Sequence, residues 1–151
     1  MKLISHRGNI DRKNPELENN PVYIEKAILE GYEVEVDVWY FDMYWWLGHD
    51  TPQYRWEKGL FPKTYWCHCK NIAALNEFQA NVEYPHHCKY FWHQNDDYTL
   101  TSNGKIWTYP GKPLGQYNNS IAVLPETVEN WDISKAFGIC SDNIKKYNHL
   151  K

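Results

Sequence analysis

The stretch "EVEVDVWYFDMYWWLGHD", residues 33–50, decides how the chain is read. Side chains alternate faces along a strand, so Glu33, Glu35, Asp37 and Trp39 share one side while Val34, Val36 and Val38 share the other. The valines call for an apolar cover. The acids then face either water or something positively charged, and alternation alone equally describes an antiparallel strand with one wet face.

The flanking sequence favours a buried setting. "KLISHR", residues 2–7, reads as a short strand ending at Gly8, where the backbone can turn sharply. A polar loop follows, and Asn20 with Pro21 opens a helix in which Ile24, Ala27 and Ile28 share a face before Gly31 ends it. The acid strand comes next, then a turn at "FDMY" and a short return strand "WWLGHD". "TYWCHCK" predicts a further strand, with Asn71 capping a helix through Ile72, Leu75 and Phe78. "CKYFWHQ" and "SIAVL" read as strands, and "YTLTSNGKIWTY" as a hairpin turning at Asn103-Gly104. A short helix near "DISKAF", closed by Gly138, precedes a last strand "GICSD".

Strands separated by helices argue for parallel pairing through right-handed crossovers, and the strand count approaches eight. A full (β/α)8 barrel takes roughly 250 residues, whereas this chain has 151. The expected fold class is therefore α/β: a shortened or irregular TIM-like (β/α) barrel with reduced outer helices, forming one domain over residues 1–151.

Composition narrows the function. A net charge of -3 gives no polybasic surface for nucleic acid. No apolar run is long enough for stable membrane insertion, and the N-terminus lacks a signal-peptide pattern, so a cytoplasmic location is expected. With 8 Trp and 12 Tyr there is more ring surface than a small core needs, and some of it should line a pocket. Cys67, Cys69, Cys88 and Cys140 are expected to be reduced thiols.

In a parallel barrel the strand ends "SHRG" and "LGHD" would converge with the acids. Two carboxylates at i and i+2 can both reach one hard cation, and an arginine with two histidines suits phosphoryl chemistry. "ISHRG", "PELENNP", "GYEVEVDVW" and "LGHD" together, in this order, resemble the opening of the glycerophosphodiester phosphodiesterases over the first third of the chain. The resemblance implies a barrel and a metal-dependent phosphodiesterase acting on a small-molecule phosphodiester. It implies His6 and His49 as the general acid/base pair, Arg7 and Lys70 at the phosphate, and Glu35 with Asp37 as ligands of one divalent ion, magnesium or calcium. A neighbouring glycerol hydroxyl would attack phosphorus before water opens the cyclic product. Glu18 matches an acid that would support the loop, and rings of "WYFDMYWW" would shelter the substrate.

"WCHCKN" departs from that family, which carries Glu-x-Lys where this chain has His68 and Lys70. Strand parity sets Trp66, His68 and Lys70 on one face, with Cys67 and Cys69 on the other. His68 facing inward would either ligate the metal, favouring manganese or zinc, or hydrogen-bond a substrate oxygen. "GICSD" resembles the family's last strand, which brings Asp142, with His93, into consideration at the mouth; a core or surface role is the simpler account of each.

Three other readings compete. Cys67, Cys69, His87 and Cys88 offer four ligands to a structural zinc, though without a Cys-x-x-Cys knuckle. Paired acids among many rings also describe a carboxylate-based glycan-processing enzyme, but Glu35 and Asp37 share one strand face instead of opposing each other. A catalytically weak protein could bind a phosphodiester or phosphoglycan, yet binding alone needs no acid and base.

Overall fold

A computed structural model describes residues 1–80 and 88–151 of the chain. Ten strands form one curled, mixed β-sheet: β1 (Lys2–His6), β2 (Glu33–Phe41), β3 (Tyr44–Leu47), β4 (Tyr54–Arg55), β5 (Tyr65–Cys69), β6 (Lys89–Trp92), β7 (Tyr98–Leu100), β8 (Ile106–Thr108), β9 (Ser120–Val123) and β10 (Gly138–Ser141). Among the described residues the helices are α1 (Pro21–Leu29) and α2 (Ile72–Ala80), with 3₁₀ segments at Pro125–Thr127 and Ile144–Leu150. No helix among the described residues is long and apolar enough to cross a membrane.

The TIM-like (β/α) barrel is overturned. Parallel ladders do run β6-β5-β2-β1-β10-β9-β8. However, β3 and β4 extend antiparallel from β2, and β7 is antiparallel to β8. Strand accounts for 30% of the described residues and helix for 19%, so the result is a half-barrel and not an alternation of strand and helix. Among the described residues only the β1-to-β2 and β5-to-β6 connections carry an α-helix. No strand ladder joins β6 to β7. The two edges are tied instead by Ser102 N–H donating to the Tyr90 carbonyl (2.8 Å) and the Thr99 hydroxyl donating to that of Trp92 (2.6 Å).

Local chemistry explains the elements that form. Asn20 accepts a hydrogen bond from Val22 N–H at 2.9 Å and caps α1, with Pro21 pre-set at its first position. Asn71 caps α2 through Ala74 N–H at 3.0 Å. Asp42 and Met43 both adopt left-handed backbone, closing the β2–β3 hairpin as a tight turn. The expected helix near "DISKAF" does not form: residues 131–137 are turn and coil, and Gly138 opens β10.

Parity divides the interior in two. Val34, Val36 and Val38 are fully buried with Cys67 and Cys69 against Ile24 and Ala27 of α1 and Ala74 and Phe78 of α2. The concave face is filled by Ile4, Trp66, Phe91, Trp107, Ile121, Val123 and Cys140. Burying each large side chain contributes about 1.5–3 kcal/mol, so the register of β2 is strongly fixed. A slip of one residue would exchange valines and acids.

Candidate functional site

The inward acids emerge where the parallel strands end. β1 pairs with β2 up to His6–Glu35, and β5 pairs with β2 at Asp37–His68. His6, Glu35, Asp37 and His68 are all buried. Glu35, Asp37 and His68 each place a ligand-type atom within 4.8 Å of the others.

Asp37 is the hub. It is 0% exposed, and its Oδ2 lies 2.8 Å from Arg7 Nε, 2.9 Å from Asn19 Nδ2 and 3.3 Å from His49 Nδ1. Its Oδ1 lies 3.1 Å from His68 Nδ1 and 3.5 Å from Lys70 Nζ. Burial works to raise the Asp37 pKa, but the histidines and Arg7 outweigh it and hold the carboxyl well below its ordinary value. Burial likewise opposes the Arg7 charge, and Asp37, Glu35 and Glu18 together raise its pKa further.

Two carboxylate oxygens in this cluster lack an aligned hydrogen bond, Glu35 Oε2 and Asp37 Oδ1. His68 faces one of them, Asp37 Oδ1. Its Nε2 is 2.8 Å from the His93 carbonyl oxygen, which can only accept, so Nε2 carries a proton. In neutral imidazole Nδ1 is then a bare lone pair, facing Asp37 Oδ1 at 3.1 Å and Glu35 Oε1 at 3.7 Å. Three electron-rich atoms facing each other in a buried site require a cation or a proton between them. Without a metal the proton serves: burial opposes it, but Asp37 and Glu35 raise the His68 pKa to about 9. Two carboxylates and an imidazole anchored by a carbonyl are a donor set that fits a divalent ion.

His6 is held differently. Its Nδ1 lies 2.7 Å from Asp142 Oδ1, and Nε2 lies 3.8 Å from Glu35 Oε2. Asp142 also accepts from Asn9 Nδ2 at 2.7 Å. Asn9 Nδ2 bonds Glu18 Oε1 as well, and Glu18 Oε2 accepts from Arg7 Nη1, both at 3.0 Å. Glu18 thus fastens the loop and aims the arginine. The opposed charges shift both partners. Burial opposes the imidazolium, yet Asp142 and Glu35 raise the His6 pKa, while burial opposes the Asp142 carboxylate and His6 still lowers it.

Backbone strain gathers at the same rim. Arg7 and Asn19, neither a glycine, take left-handed backbone at φ 54° and 62°. A Cβ at Gly8 would sit 2.9 Å from Tyr23 Cδ1, and one at Gly48 would collide with the Thr51 carbonyl. Glycine is favoured at both places, two residues after His6 and directly before His49.

A pocket of about 510 Å³ opens here, lined on one side by His6, Arg7, Glu35, His49, His68 and Lys70. Asp37 is the one expected site residue sealed beneath it. A fully buried Asp37 cannot flank a glycosidic bond, which removes the geometric basis for a glycan-processing pair. His49 is the most exposed of the set, its side chain 42% accessible.

The sequence placed the rings wrongly. No ring of "WYFDMYWW" lines the pocket; Trp45 packs into the helix-covered core against Phe61 and Phe78. His93, Trp107 and Tyr109 line it instead, and Trp92 borders it from the helix-covered side. Asp142, with no signal beyond its place after the last strand, proves to be the partner of His6. Of the zinc reading, His87 lies outside the described residues, and Cys67, Cys69 and Cys88 are buried thiols with no disulfide. Among the described residues the clustered donor group is Glu35, Asp37 and His68.

Comparison with protein-family models, curated proteins and solved structures finds no match to this chain.

Proposed function

We propose that the chain is a metal-dependent phosphodiester hydrolase, acting most simply on glycerophosphodiesters. The observation that carries the reading is the clustering, at one pocket, of the Glu35-Asp37-His68 donor set, with Asp37 just beneath the lining, the Arg7 and Lys70 cations and an Asp142-oriented histidine.

Glu35, Asp37 and His68 would hold the ion; magnesium, calcium and manganese suit the carboxylates, and His68 extends the range to zinc. When bound, such an ion supplies charge stabilisation at a phosphoryl oxygen. The chain's own groups do the rest. Arg7 and Lys70 neutralise the remaining phosphate charge from the rim. Arg7 is fixed for this by Glu18 and Asp37, so little side-chain freedom is lost when the anion binds.

His6 and His49 move the two protons. One takes the proton from the attacking hydroxyl as its oxygen bonds phosphorus, and the other gives a proton to the alcohol oxygen as its bond to phosphorus breaks. Asp142 holds His6 by Nδ1 and leaves Nε2 for transfer. Binding alone does not need that arrangement.

The test is hydrolysis of a panel of glycerophosphodiesters with magnesium, calcium, manganese or chelator. Metal-dependent turnover lost in His6→Ala and Glu35→Gln supports the proposal. No turnover with any ion, from protein shown to be folded, refutes it.

A further inference from the structure

The anionic side is only part of the pocket. The rest of its lining includes His93, Tyr109, Pro110 and Leu124, with the buried Trp107 beneath them. We propose that this wall is a ring-binding subsite, so that the phosphodiester taken by the site carries a planar aromatic group on its alcohol. The inference rests on the phosphodiesterase reading and names its substrate class.

Size is the first argument. A cavity of about 510 Å³ lies in the range that holds a drug-sized ligand, far more than glycerol phosphate or ethanolamine fills. The second is the shape of the floor. Trp107 stacks on Phe91 with centroids 4.5 Å apart, and Phe91 stacks on His68 at 5.1 Å with planes 11° apart. This column runs from under the ring wall to the metal-ligating imidazole, so wall and anion centre are held as one unit. His93 is 6.0 Å from His68 and 5.9 Å from Tyr109 by ring centroids. The anion centre and Tyr109 are therefore separated by a single intervening ring.

Two local features point to a ligand at that wall. His93 Nδ1 is buried with no hydrogen-bond partner, a cost that a polar ring edge would remove. Leu124 is held in left-handed backbone, φ 47° and ψ 50°, between β9 and Pro125. A bulky residue in that region is strained, and here the strain keeps an aliphatic side chain on the pocket lining. Tyr109, 48% exposed, leaves a ring face open to a ligand.

Two sources supply a planar ring next to a phosphate, a hydrocarbon aryl alcohol and a nucleoside. The test uses product-like monoesters and therefore does not depend on turnover. Methyl phosphate, 2-naphthylmethyl phosphate and adenosine 5′-phosphate are titrated calorimetrically into the full chain, with and without manganese, for the wild type, Tyr109→Ala and Tyr109→Phe. One stacked ring is worth about tenfold or more in affinity. The expected result is that one or both ring-bearing esters bind at least tenfold more tightly than methyl phosphate. That advantage is lost in Tyr109→Ala and kept in Tyr109→Phe. A lead for adenosine 5′-phosphate identifies the nucleoside, and a lead for the naphthyl ester identifies the hydrocarbon ring. Equal affinity for all three esters, or binding of none, overturns the inference. Ring-selective binding without hydrolysis of any diester would leave the subsite standing and refute the hydrolase, whereas hydrolysis indifferent to the ring would do the reverse.

Discussion

Glu33 and Glu35 stand two residues apart on the same face of β2, and their surroundings are opposite. Glu33, at the closed end of the half-barrel, is saturated: Lys2 at 2.8 Å, Lys89 at 2.9 Å and Trp66 Nε1 at 2.7 Å surround its carboxylate. Glu35, at the open end, has no aligned hydrogen bond on Oε2, and the nearest cationic groups are imidazoles at 3.7 and 3.8 Å. The fold readily satisfies an inward acid with its own residues. It does so where nothing needs to bind, and leaves the need unmet where the pocket opens.

If the open end is a reactive centre, His6→Ala should lower turnover by about 10²–10⁴-fold while the melting temperature stays near that of the wild type, measured by steady-state kinetics and thermal unfolding. Unchanged turnover would leave the Asp142–His6 pair with a structural role. Next in size is Asp142→Asn, which keeps the shape and removes the charge that orients His6. A loss of about 10–100-fold is expected for such a supporting group, with manganese binding retained. Loss of metal binding in this variant would tie the two halves of the site more closely than the distances suggest.

The closed end should respond in stability alone. Glu33→Gln leaves two lysine ammoniums short of a carboxylate and should cost about 1–3 kcal/mol in denaturant unfolding, without affecting metal affinity. The smallest effect is in its pH dependence. Burial opposes the Glu33 charge, but Lys2 and Lys89 hold its folded pKa below the ordinary carboxylate value. The stabilisation is then complete above the unfolded pKa and lost as pH falls through the folded one. The wild type should lose stability over that acid window more steeply than Glu33→Gln; parallel curves would contradict the pairing.

Much of this site was legible in the sequence because strand parity is a strict rule. The two-residue period put Glu35, Asp37 and His68 on the inner face and the valines and cysteines beneath the helices, as they are found. Capping chemistry likewise gave α1 and α2. Parity says nothing about which strands become neighbours across a curl. Asp142 follows β10 and meets His6 136 positions away because β10 lies parallel beside β1. The ring wall was misplaced for a related reason. β2 continues past the mouth to pair with β3, which carries its aromatic end away from the pocket, while the hairpin β7–β8 brings Trp107 and Tyr109 in from the far edge. The barrel expectation failed over connections: loops and antiparallel pairs take the place of most crossover helices, and patterning within a strand does not distinguish the two.

Manganese titration of the wild type, Glu33→Gln and Glu35→Gln, read by electron paramagnetic resonance of the free ion, tests the contrast between the two ends most directly. One ion should be bound per chain by the wild type and by Glu33→Gln, and none at the same concentration by Glu35→Gln. Equal binding by all three proteins, or by none, would contradict a metal centre at the open end of the half-barrel.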